Sequence, residues 1–234
     1  MKKASLVLLA LLIFSCGKNE SDLTVIGHIK GLQKGTVYLQ QLKDTALVVL
    51  DSIEVQGEGT FELHSTLEEP EVLYLLLDKN GAENNRISFF ADKGITEINT
   101  TLKRFAFDAK IKGSKQQEKL EEFNSILSKF NNQSLELIKT QFEATQSGDE
   151  VQIAAREQEA KNLLKRKYLY AINFAVTNKD SEVAPYVALA EIFNANTNYL
   201  DTIYNALPKH IAASKYGKQL NTYIKERKTE EEKN

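Results

Sequence analysis

The sequence predicts an α+β protein: an antiparallel β-sandwich of about eight strands, followed by a helical bundle with a long antiparallel helix pair. Three observations predict it. Up to Gly113, short runs rich in Val, Ile, Leu, Tyr, Phe and Thr recur at a spacing of about 8–12 residues between turn residues. From Ser114 the apolar period changes from two to about 3.6. A chain of 234 residues with a single cysteine has no internal disulfide, so its stability rests on packing.

The first element is a signal. Met1-Lys2-Lys3 is a short positive region, and the apolar run 5–14 (SLVLLALLIF) is shorter than the roughly 20 residues that span a bilayer. Ile13, Ser15, Cys16 and Gly17 resemble a bacterial lipobox, with Phe14 its one departure. On that reading residues 1–15 are removed, the Cys16 thiol takes a diacylglyceryl group and the new amine is acylated. This multi-chain anchor exceeds what a single acyl chain holds at a membrane. Gly17 is not the aspartate that keeps many such proteins in an inner membrane, so the outer membrane is expected, on its periplasmic face or at the cell surface. Residues 16–22 form a lipidated tether.

Strands are expected at 23–30, 36–42, 46–55, 59–65, 71–78, 86–91, 95–102 and 105–112, making a β-sandwich domain over 23–113. The runs 47–50 and 73–77 lack alternation and read as buried on both faces, whereas Phe61-Glu62-Leu63-His64 alternates and should have one wet face. The turns carry Gly, Asn and Asp, as at Gly57-Glu58-Gly59 and Lys79-Asn80-Gly81.

The helical domain is expected over 114–228. Ser114 with Gln117 resembles a capping box, and Leu120, Phe123, Leu127, Phe130, Leu137 and Phe142 form the inward stripe of a first helix. Ser147-Gly148-Asp149 ends it. A second helix over about 150–176 turns Ile153, Ala160, Leu163, Leu164, Tyr168, Ile172 and Ala175 inward, and the short turn makes the two an antiparallel hairpin. Asp180-Ser181 caps a helix over 182–193; others are expected at 198–207 and 214–227, and 229–234 is a disordered, solvated tail.

Composition narrows the function. Lys and Arg number 30 against 32 Asp and Glu, a net charge of −2 that falls near −4 once Lys2 and Lys3 leave with the signal, so nucleic acid is not an expected partner. His28, His64 and His210 are scattered, outside any H-x-H or H-x-x-x-H spacing; although His28 and His64 fall on strands that can neighbour one another, no metal or other cofactor is expected. Gly27, Gly31 and Gly35 precede a strand rather than a helix and read as a hairpin turn, not a phosphate loop. No serine stands in G-x-S-x-G, and the neighbours Glu68-Glu69 and Glu121-Glu122 point apart on a strand or helix. No catalytic residue is assigned. Asp44-Thr45-Ala46, Asp51-Ser52-Ile53 and Asp201-Thr202-Ile203 resemble the Asp-Ser/Thr-aliphatic O-glycosylation site of exported Bacteroidota proteins, making Thr45, Ser52 and Thr202 candidate acceptors.

Ile26-Gly27-His28-Ile29-Lys30-Gly31-Leu32, Gly35-Thr36-Val37-Tyr38-Leu39, Asp51-Ser52, Gly59-Thr60-Phe61, Pro70 with the Leu-rich strand, the stretch 89–95 and Ile111-Lys112-Gly113-Ser114 together resemble the domain of unknown function 4369, an N-terminal β-domain of many Bacteroidota lipoproteins. The stretch 181–187 and Ser214-Lys215-Tyr216-Gly217 resemble the helical segment that follows it there. Many members continue into a thioredoxin-like disulfide reductase domain with a Cys-x-x-Cys pair; one cysteine excludes that chemistry here. The expected role is a membrane-anchored lipoprotein of the cell envelope, acting as a non-catalytic binding or accessory module for an envelope protein partner. Alternatives are an accessory to a separate thioredoxin-like reductase, a structural protein self-associating through 114–176, and a hydrolase or transferase with dispersed residues, which acidic side chains converging in a cleft between the β and α parts would favour.

Overall fold

The computed structural model describes residues 21–78 and 85–233. Cys16 and the signal, and the turn expected at Lys79-Asn80-Gly81, lie outside the described residues. Eight strands form two four-stranded sheets: β1 (Leu23–Lys30), β2 (Lys34–Lys43), β3 (Ala46–Gln56), β4 (Thr60–Ser65), β5 (Glu71–Asp78), β6 (Arg86–Ala91), β7 (Gly94–Thr101) and β8 (Lys110–Lys112). One sheet runs β4-β1-β7-β8 and the other β3-β2-β5-β6. Between them Val25, Ile29, Val37, Leu39, Leu63, Leu73, Leu75, Phe89 and Ile98 form a buried apolar core. Antiparallel pairing dominates, but β1 and β7 run parallel, with Leu23 opposite Gly94 and Lys30 opposite Thr101.

Three strand expectations need correction. The segment 105–109 is not strand: after a 3-10 turn at Leu102–Arg104, Asp108 N–H bonds the Arg104 carbonyl and the Asp108 carboxylate accepts from the Thr101 hydroxyl, folding the chain back before β8. The run 47–50 is not buried on both faces. It lies at the edge of its sheet, where Val48 and Val49 are 41% and 49% exposed. Of the three spaced glycines only Gly31 turns the chain, and it crosses between sheets, while Gly27 and Gly35 lie inside β1 and β2.

The helices are α1 (Lys115–Ser147), α2 (Glu150–Thr177), α3 (Val183–Glu191), α4 (Thr197–Ala206), the one-turn α5 (Lys209–Ala212) and α6 (Lys215–Glu231). Ser114 Oγ accepts from Gln117 N–H, 3.0 Å, but the box stays half closed: Gln117 Oε1 accepts from Phe90 N–H, and its Nε2 donates to Glu121. Asp149 caps α2 through Gln152 N–H, and this bond chiefly holds the Asp149 carboxyl below its ordinary range. The α1–α2 hairpin is held by stacking of Phe123 on Tyr170 and by Phe174. Two expected inward residues are not inward: Phe142 is 63% and Leu164 48% exposed, because a helix pair has one seam, which Ala144 and Leu163 occupy instead. Nor are 229–234 all tail, since α6 continues to Glu231, whose carboxylate accepts from the Thr197 hydroxyl and pairs with Arg227. Among the described residues no helix is long and apolar enough to cross a membrane.

The two parts share a core. In β5 and β6, Leu73 and Phe89 face the sandwich interior, while their neighbours Val72 and Phe90, opposite one another, face the helices and pack with Val187, Ala188, Tyr216 and Leu220.

Candidate functional site

Where the sheet meets the helices lies a cleft of about 530 Å³. One wall is the tip of the β2–β3 hairpin (Leu42, Lys43, Asp44 and Leu50); the floor holds Val72 and Tyr74, and Glu68 and Glu69 come from the connection between β4 and β5. The far wall, Tyr186 of α3 with Lys215, Tyr216 and Gln219 of α6, is delivered by the Ser214-Lys215-Tyr216-Gly217 start of α6. Ser214 caps that helix. A Cβ on Gly217 would stand 2.1 Å from the Ile211 carbonyl oxygen, so glycine is what lets α6 begin pressed against α5.

The polar groups here join one part of the protein to the other. Lys215 Nζ donates to Glu71, which is 4% exposed and also accepts from Gln41. Glu69 accepts from Lys215 N–H, 2.7 Å. The Tyr216 hydroxyl accepts from Val72 N–H, 2.9 Å, a strand donor beyond the end of the β2–β5 ladder, and burial pushes the phenol far above its ordinary range. Tyr186 is raised too, by burial first and then by Tyr74 and Glu191. Edge-to-face contacts link Tyr186, Tyr216 and Phe90 at centroid separations of 5.2–5.6 Å. With Glu69 and Glu71 both holding partners, the arrangement is a tyrosine-walled recess edged by three carboxylates, Asp44, Glu68 and Glu69, and one lysine, Lys43.

Beside it, at the roots of α1 and α3, Glu182 accepts from Gln116 Nε2, 2.7 Å, while Asp92 accepts from the Ser114 hydroxyl and Gln116 N–H. Burial is the main cause that raises the Glu182 carboxyl, with Asp92 and Glu69 adding to it.

The residues singled out in the sequence do not assemble here. Thr45 is exposed in the β2–β3 turn; Ser52 is exposed on β3, where Asp51 accepts from the Ser52 and His64 N–H groups; Thr202 is exposed on α4 and donates to the Asn198 carbonyl. His28 lies opposite Thr60 and His64 opposite Thr24, at different levels of the β1–β4 pair. His64 is 3.3 Å from Glu62, and His210 sits on α5. Among the described residues no three His, Cys, Asp or Glu side chains gather as metal ligands. Glu121 and Glu122 are exposed on α1, Phe123 is fully buried and Phe130 half-buried. Lys215, Tyr216 and Tyr186 were not legible as site residues, because only tertiary packing brings them to β5; the one signal was the Ser-Lys-Tyr-Gly run itself.

Residues 23–120 match the family model described as a domain of unknown function (DUF4369), the family that the sequence resembles. The match covers both sheets and ends in the second turn of α1, so most of the helical part and the whole of the far wall lie beyond it. No curated protein matches the chain.

Proposed function

We propose that this chain, which carries the DUF4369 domain over residues 23–120, is a lipid-anchored protein of the bacterial cell envelope that acts as a non-catalytic binding or accessory module. The observation that carries the reading is the N-terminus: a positive start, a ten-residue apolar run and then the lone Cys16 followed by Gly17. Diacylglyceryl transfer to Cys16 and acylation of the new amine supply the two-signal attachment that a stable anchor needs. The outer membrane is its expected site, and Thr45, Ser52 and Thr202, all exposed, are open to glycan addition.

The tyrosine-walled recess supports a binding role rather than a reactive one. Its buried carboxylate Glu71 is engaged by Lys215 and Gln41, while Asp44, Glu68 and Glu69 at the rim suit a cationic group on a partner. The carboxylates also meet the convergence that the hydrolase alternative asks for, but two of the three glutamates hold the sheet to α6. Labelled palmitate should enter the wild-type protein and fractionate with membranes, and Cys16→Ala should lose both. A Cys16→Ala protein that still took up the label would sink the anchor. Crosslinking in intact source cells with the lipidated protein should recover one stoichiometric envelope protein, and Glu68→Lys in the rim should lower that recovery several-fold.

A further inference from the structure

We infer that the α1–α2 hairpin has a second membrane contact of its own: one of its sides is a docking face for an anionic bilayer surface. The inference does not depend on lipidation of Cys16. Two grooves meet at Leu164. One is lined by Leu137, Ile138, Ala160, Leu163 and Lys167, the other by Lys161, Lys165, Tyr168, Leu169 and Tyr199. Beside them Leu135, Ile138 and Phe142 recur at three- and four-residue steps along α1, each 63–66% exposed, and Leu164 and Leu169 of α2 are 48% and 42% exposed. An exposed apolar strip of this kind marks a contact surface.

Charge selects the occupant. Three lysines and no carboxylate line the two grooves. Lys167 is paired with Glu191, but Lys161 and Lys165 have no ion pair among the described residues. A third groove between α1 and α2 is different in kind, lined by Glu136 and Glu159 together with Arg156 and Arg166. Lysines around protruding Leu, Ile and Phe, with Tyr168 and Tyr199 at one end, match an interface of acyl chains below and anionic headgroups above. The hairpin root also suits this placement: Asp92 bonds Ser114 at the start of α1, and Lys93 pairs with Asp22, where the chain emerges from the N-terminal segment. Asp22 thus sits close to the root of the hairpin.

The test uses the Cys16→Ala chain without signal or lipid, sedimented with phosphatidylglycerol-rich vesicles and with phosphatidylcholine vesicles. Binding is expected to the first, with far less to the second, and it should be lost at about 1 M salt, where the Debye length is about 3 Å. Ile138→Ser with Leu164→Ser should weaken binding at least about tenfold, and Lys165→Gln about fivefold. All three side chains are solvent-facing or groove-lining, so circular dichroism and the melting temperature should stay as in the parent. Failure to sediment with phosphatidylglycerol overturns the inference. A concentration-dependent dimer by analytical ultracentrifugation, removed by the Ile138/Leu164 variant, would then give the face to a second copy, and a monomer would give it to a protein partner. Vesicle binding that the Ile138/Leu164 variant leaves unchanged overturns it as well.

Discussion

Tyr216 shows how a single side chain can hold the two halves of this protein in register. Its ring packs against Phe90 and Tyr186, its hydroxyl satisfies Val72 N–H, and Lys215 Nζ lies 5.8 Å from its ring centroid while reaching Glu71. Tyr216→Phe keeps the ring and deletes only the acceptor. A buried N–H left without a partner costs about 1–3 kcal/mol, so the urea midpoint should fall with an unchanged slope. A variant as stable as the wild type would mean that water reaches Val72. Burial raises the Tyr216 phenol, so its ionisation opposes folding: the folded state holds the proton to higher pH than the unfolded chain, and stability from this group falls as pH rises above the ordinary tyrosine range.

At the scale of elements, the sharpest constraint is between β1 and β7. Gly27 lies opposite Ile98, and a Cβ there would stand 1.9 Å from the Ile98 carbonyl oxygen and 2.6 Å from the Phe61 ring. Backbone cannot yield as a flexible side chain does, so Gly27→Ala should cost about 1–3 kcal/mol or more, read by urea denaturation; a loss under about 1 kcal/mol would mean that the strands slide apart cheaply. Most elements were legible because their periods are local: β1, β5 and β6 start and stop where the runs do, and Ser114 is the cap its spacing to Gln117 indicates, whereas Asp149, read only as a turn, and Ser214, read only as a helix start, also cap their helices. The errors are non-local. Nothing in Leu47-Val48-Val49-Leu50 says that it will be an edge, nothing in β7 says that its neighbour runs parallel, and Gln117 leaves its capping box because Phe90 N–H, on a distant strand, needs an acceptor. The cleft was equally hidden, since its Tyr186 and Lys215 are far in sequence from Glu71.

For the whole molecule, the sheets and the helices are separate in sequence but not in energy. Val72 and Phe90 belong to the helical core although they lie on strands, and two strand donors, Phe90 N–H and Val72 N–H, end on Gln117 and Tyr216. Cutting the chain after Gly113 would expose the whole of the Phe90 ring, worth about 2–3 kcal/mol, and strip both donors of their acceptors, worth about 1–3 kcal/mol each. Against a total stability of roughly 5–15 kcal/mol for a domain, losses of this size are decisive. Residues 21–113 alone should therefore bind a hydrophobic dye, self-associate and give poorly dispersed amide spectra, whereas 21–234 should be dispersed and dye-silent. A stable, dye-silent 21–113 fragment would make the helices a passenger. The expected outcome makes them the second face of a sheet that cannot stand alone, and it ties the recess between the two parts to the fold: the contacts that shape it are the ones that keep the β part folded.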